Sequence, residues 1–134
     1  MNQDKIQQYL ISLDFIQTAI LFGSQVNGMT HAMSDIDIAI LAKKEIPLLE
    51  LGGIISNLEM ICEQKVDLVV LNDLYHRDPQ LVFNIIQKHK EIFIRNREVW
   101  NQYKTKSLLV YFDEKPILDK VNEAFRKRYA KEKV

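Results

Sequence analysis

Ala19-Ile20-Leu21-Phe22-Gly23-Ser24 and, after ten intervening residues, Asp35-Ile36-Asp37-Ile38-Ala39-Ile40-Leu41 are the stretches on which the reading of this chain turns. The first is a compact apolar run that stops at a glycine, as a buried strand does. The second opens with strict alternation of acidic and apolar residues, the period of a strand with one polar and one buried face. Residues 24–34 are polar and glycine-containing with little periodicity, which suits a loop with room for one helical turn. Gly23-Ser24 ends one strand, whereas Asp35 and Asp37 begin the next. The two motifs meet only if these strands run antiparallel.

Working outward, Asp4 to Leu13 carries Ile6, Leu10 and Leu13 at the spacing of a short amphipathic helix. Pro47 can begin a helix over residues 48–63, weakened by Gly52-Gly53. Val66-Asp67-Leu68-Val69-Val70-Leu71 predicts a third strand, and the preceding helix is long enough for a parallel βαβ crossover. Asp78-Pro79 reads as an N-cap with proline at the first helical position, opening a helix to about His89. Glu91 to Ile94 predicts a short fourth strand. Residues 97–112 then read as helical, and Pro116 starts a separate helix. The order is that of an α/β chain built on one small mixed sheet flanked by helices.

A chain of 134 residues fits one domain, with no linker or repeat to divide it. Its 18 basic and 18 acidic side chains balance, which disfavours a protein that coats nucleic acid. From Lys120 onward six Lys or Arg stand against two Glu, the pattern of a solvated basic tail. Cys62 lies in an apolar stretch and reads as a small buried hydrophobe. Polar residues precede any apolar run, and no run of about 18 apolar residues occurs, so neither a signal peptide nor a membrane span is expected and the cytoplasm is the expected compartment. His31 reads as a loop residue, and His76 and His89 as surface residues without metal-ligand spacing. Tyr103, Tyr111 and Phe112 read as core or interface packing.

The chemistry lies with the acids. Asp35 and Asp37, two apart on a strand, share one face, while Ile36, Ile38 and Ile40 share the other. Strands disfavour aspartate and like charges repel, so a hard cation such as Mg²⁺ would stabilise the pair; the alternative is two solvated carboxylates at a sheet rim. Asp67, near the start of its strand as Asp35 is in its own, would bring a third carboxylate to the same edge. Its neighbours Val66, Leu68, Val69 and Val70 make burial without a charged partner costly. Gly23 lets backbone approach a ligand closely, and Ser24 offers a hydroxyl and an N–H to phosphate. Carboxylates on one side and an anion site on the other are the parts of metal-assisted phosphoryl chemistry, in which two metal ions serve the attacking and leaving oxygens.

Gly23-Ser24-x10-Asp35-x-Asp37 resembles the signature of the polymerase-β-like nucleotidyltransferases, and Val66-Asp67-Leu68-Val69 resembles the third-carboxylate strand of their minimal branch. The resemblance covers residues 16–95 as a catalytic core, leaving 97–134 as a C-terminal helical extension of the same single domain. It implies that Asp35 and Asp37 bind two Mg²⁺ ions, that Asp67 binds one and assists deprotonation of the acceptor, and that Gly23 and Ser24 hold the triphosphate of ATP. Where many relatives carry Ala-Arg-Gly this chain has Val26-Asn27-Gly28, which removes one cationic phosphate contact. Minimal members act as antitoxins paired with a HEPN-domain ribonuclease toxin, so the resemblance implies AMP transfer to a toxin tyrosine, in a complex that can be oligomeric. Two other readings stay open: neutralisation of the toxin by tight binding alone, and transfer to a small molecule or RNA end.

Overall fold

The computed structural model describes residues 3–23 and 35–113. The elements run α1 (Gln3–Ile11), β1 (Ile16–Phe22), β2 (Ile36–Ala42), α2 (Leu48–Cys62), β3 (Val66–Val70), α3 (Leu74–Arg77), α4 (Pro79–Gln87) and β4 (Lys90–Ile94). Residues 97–113 are helical and form α5. The basic tail and the helix expected from Pro116 lie outside the described residues.

The four strands form one mixed sheet in the order β3-β2-β1-β4. β1 pairs antiparallel with β2, setting Leu21 opposite Ile38 and Phe22 opposite Asp37. β2 pairs parallel with β3 across the α2 crossover, setting Asp37 opposite Asp67. β4 closes the other edge antiparallel to β1, with Leu21 opposite Lys90. The ends of β1 and the starts of β2, β3 and β4 therefore share one end of the sheet. Both expected strand pairings are present.

Alternation along the strands sorts the core into two layers. Ile36, Ile38 and Ile40 face α1 and α2, where they pack with Ile6, Leu10, Ile54 and Leu58. Ile20, Ala39 and Leu41 face the other way, against Val82 and Ile85 of α4 and Trp100 and Tyr103 of α5. Trp100 is fully buried and its ring stacks on Tyr103 at 5.7 Å between centroids. Tyr111 stacks on Phe83 of α4 at 4.0 Å, whereas Phe112 is half exposed.

Local chemistry explains the helix bounds. α2 buries Ile54, Leu58 and Cys62, each four residues apart, and turns Gly52 and Gly53 to solvent, where a Cβ would meet nothing within 4 Å. The two glycines lower helix propensity by about 1 kcal/mol each relative to alanine without opening a hole in the packing. α4 begins as expected: the Asp78 carboxylate accepts the Leu81 N–H at 3.2 Å, and Pro79 occupies the first turn. Burial pushes the Cys62 thiol pKa up, in keeping with a small core residue.

Candidate active site

Gly23 sits where β1 leaves the sheet, with a left-handed φ of 70° that glycine adopts without steric cost. It also lies directly against Asp37. A Cβ at position 23 would stand 2.9 Å from Asp37 Cγ and closer still to Oδ2. The glycine is thus a cradle for the carboxylate, and the pairing of Phe22 with Asp37 makes the contact a consequence of strand register.

Asp37 and Asp67 are direct partners across β2 and β3, about 4.8 Å apart along the hydrogen-bonding direction. Asp35 immediately precedes β2, two residues from Asp37 and so on the same face. All three belong to the face that carries Ala39, Leu41 and Val69, the side covered by α4 and α5. Asp37 is half-buried, while Asp35 and Asp67 are exposed. Asp35 and Asp67 make no ion pair with any described residue.

One expectation needs adjustment. The apolar neighbours of Asp67 point to burial, yet the carboxylate is exposed because β3 is an edge strand and position 67 lies at its rim. The three carboxylates are placed on one side of one sheet end, and among the described residues no three Asp, Glu, His or Cys side chains form a ready cage for a cation. The donor set itself fits a hard cation, being all carboxylate oxygen, with Asp37 held from behind by Gly23. Ser24 and His31 lie outside the described residues.

Beside Gly23, a cleft of about 340 Å³ whose lining includes none of the three aspartates runs between the end of β1 and α4. Phe22, Gly23, Leu81, Asn84, Ile85 and Lys88 are among its lining residues. Nothing in the local sequence pattern of Asn84 and Lys88 separates them from ordinary helix-surface residues. Larger depressions, of about 820 Å³ beside Tyr9 and Cys62 and about 690 Å³ along the outer face of α5, include none of the three aspartates or Gly23 in their linings. His89, expected at the surface, is half-buried: its Nδ1 lies 2.8 Å from the Ile86 carbonyl and 3.2 Å from that of Ile85. A proton on Nδ1 makes the ring a donor that caps α4, and its edge contacts Trp100 at 5.8 Å.

A small mixed sheet with an acidic pair opposite a glycine turn defines a class, and comparison with known proteins bears on it. Residues 4–98 match the family model described as polymerase beta, nucleotidyltransferase, and the chain belongs to that family of nucleotidyltransferases. Among solved structures it is similar to a chain from a toxin–antitoxin complex with AMP-PNP, at 25% identity and a TM-score of 0.75, covering 90% of this chain and 98% of that one. It is also similar in fold to a chain from a toxin–antitoxin MntA-HepT crystal structure, at 22% identity and a TM-score of 0.67, covering 89% and 95%. A further likeness, at 22% identity and a TM-score of 0.64, covering 90% and 98%, is to a chain from the complex of tri-AMPylated Shewanella oneidensis HEPN toxin with MNT antitoxin. Curated proteins give no significant match. No helix among the described residues is long and apolar enough to cross a membrane.

Proposed function

We propose that this nucleotidyltransferase is an antitoxin that transfers AMP from ATP to a tyrosine of a HEPN-domain toxin, with Mg²⁺ as cofactor. The observation that carries the chemistry is the register that sets Asp37 against Gly23 on one side and opposite Asp67 on the other. The acceptor and partner are supported by the likeness to chains from complexes with HEPN toxins, one of them AMPylated.

In this reading Asp35, Asp37 and Asp67 hold Mg²⁺, which supplies positive charge to the α-phosphate and to the departing oxygen. Gly23 and Ser24 hold the triphosphate, with Gly23 keeping the backbone close to the phosphates. The tyrosine oxygen attacks the α-phosphorus and forms a P–O bond. The bond to the β-phosphate oxygen breaks, and pyrophosphate leaves with that electron pair. The phenolic proton passes to Asp67, whose exposed position on an edge strand lets it face an incoming protein and return the proton to solvent.

The test incubates the protein with α-labelled ATP, Mg²⁺ and a purified HEPN partner. Label is expected on a partner tyrosine. No transfer, or transfer unchanged by Asp35→Ala plus Asp37→Ala, overturns the reading. Protection of cells by that double variant would instead make binding alone the mode of neutralisation.

A further inference from the structure

Charged side chains stand along the whole site end of the sheet. Asp67 stands on β3, Asp35 and Asp37 on or beside β2, Gly23 at the end of β1, and Lys90 at the start of β4, with Lys88 just before it. The three carboxylates lie to one side of the glycine turn, with Lys65 just before β3, and Lys88 and Lys90 lie to the other, where the Glu91 carboxylate is paired with Arg97. Two strand spacings, roughly 10 Å, separate β2 from β4.

From this layout we infer that Lys88 holds the outer phosphates of the nucleotide, an assignment that rests on the proposed use of ATP. Lys88 is exposed, makes no ion pair with any described residue, and lines the cleft whose wall includes Gly23. It follows Gln87, the last residue of α4, and its N–H is tied to the Asn84 carbonyl at 3.3 Å. The neighbouring His89 pins the same corner through the Ile85 and Ile86 carbonyls and the Trp100 ring. The ammonium is therefore carried on a flexible stem from a fixed root. Asn84, one turn earlier, lends its amide oxygen to Gln80 at 3.0 Å, which leaves its NH₂ to donate into the cleft. An α-phosphate beside Asp37 would direct its leaving pyrophosphate over Gly23, where a backbone without a Cβ offers no obstruction, and toward this lysine. The lysine charge would then meet the negative charge that grows on pyrophosphate as the bond breaks.

A cation at the end of a helix also complements the helix dipole, and the experiment separates the two roles. Binding of ATP, inorganic tripolyphosphate and AMP is measured by calorimetry with Mg²⁺ for the wild type, Lys88→Ala, Lys88→Arg and Lys43→Ala. Lys43 lies just beyond β2 at the opposite end of the sheet, so its removal changes net charge equally. Loss of a charged hydrogen bond predicts about 10- to 100-fold weaker ATP and tripolyphosphate binding for Lys88→Ala. AMP binding stays unchanged, Lys88→Arg recovers most of the affinity, and Lys43→Ala behaves as wild type. In transfer assays the KM for ATP rises in Lys88→Ala by a similar factor. Unchanged ATP and tripolyphosphate binding in Lys88→Ala overturns the assignment, as does an equal loss for AMP or for Lys43→Ala. Lys88-dependent tripolyphosphate binding with no label on a HEPN partner would uphold the lysine and overturn the proposed acceptor. A wild type that binds neither ATP nor tripolyphosphate would overturn both.

Discussion

The two ends of the sheet use the same four strands and treat their polar groups in opposite ways. At the end away from Gly23, side chains serve the backbone. The Arg95 guanidinium donates to the Ile16 carbonyl at 2.9 Å and the Ile11 carbonyl at 3.0 Å, joining β4 to the α1–β1 connection. Asn72 accepts the Ala42 N–H at 2.9 Å and donates to the Ala42 carbonyl at 2.8 Å, locking the chain beyond β3 onto β2. Tyr103 donates its hydroxyl to the Leu71 carbonyl at 2.6 Å, and burial drives its pKa far above the usual tyrosine range. At the Gly23 end, Asp35, Asp67, Lys88 and Lys90 have no salt-bridge partner among the described residues. One end ties its polar groups to backbone, and the other leaves these four charged side chains without a salt bridge among the described residues, the arrangement expected where stability is given up for function.

That contrast predicts which substitutions change activity and which change stability. The largest effect belongs to Asp35→Ala plus Asp37→Ala. Losing several kcal/mol of charge stabilisation in the transition state should cut AMP transfer by about 10²–10³-fold. The melting temperature, followed in parallel, separates chemistry from folding; a large fall would show that these carboxylates also support the fold. Gly23→Ala comes next. Its positive φ costs roughly 1–2 kcal/mol with a Cβ present, and the methyl displaces Asp37. Transfer should fall by about 10- to 100-fold while the protein remains folded by circular dichroism, so a fully active variant would remove the cradle from the account.

Arg95→Ala probes the other end. Its lost hydrogen bonds to backbone carbonyls should lower unfolding free energy in urea by about 1–3 kcal/mol, with transfer below the transition unchanged. A drop in kcat without a drop in stability would contradict the division between the two ends. The smallest effect is electrostatic and concerns the pair that joins β4 to α5. The Arg97 guanidinium, 2.6 Å from the Glu91 carboxylate, holds that carboxyl below its usual range. Its stabilising contribution is fully present above the unfolded value of about 4.3 and is lost as pH falls through the lowered folded value. Both groups are substantially exposed, so solvent screens the pair and Arg97→Ala should shift the melting temperature only slightly at pH 7. Wild type and variant should converge at the acid limit; divergence there would mean that Arg97 acts through packing.

The parts of the molecule legible in sequence are those where periodicity and local chemistry act alone. β2, α2 and the Asp78-Pro79 start of α4 fall where apolar spacing and capping residues place them. β1 begins at Ile16, earlier than its apolar run suggests, because Gln17 interrupts the run while its carbonyl accepts the Arg95 N–H from the chain beyond β4. α3 left no signal: four residues are too few to show a period, and Asp73 precedes them in a left-handed conformation without a side-chain cap. His89 reads as a surface residue until α4 and Trp100 surround it.

By itself the sequence determined that Asp35 and Asp37 share a face and that a glycine ends the preceding strand, since side-chain alternation and chain order are local properties. Family membership follows the same motif and is shown by the match over residues 4–98. Only the tertiary structure decided that Asp67 stands directly beside Asp37, that it is exposed on an edge strand, and that Lys88 lines the same cleft as Gly23. The physical reason is that strand order and register arise from the summed burial of both sheet faces. Residues distant in the chain share one sheet end only when all four strands pack together.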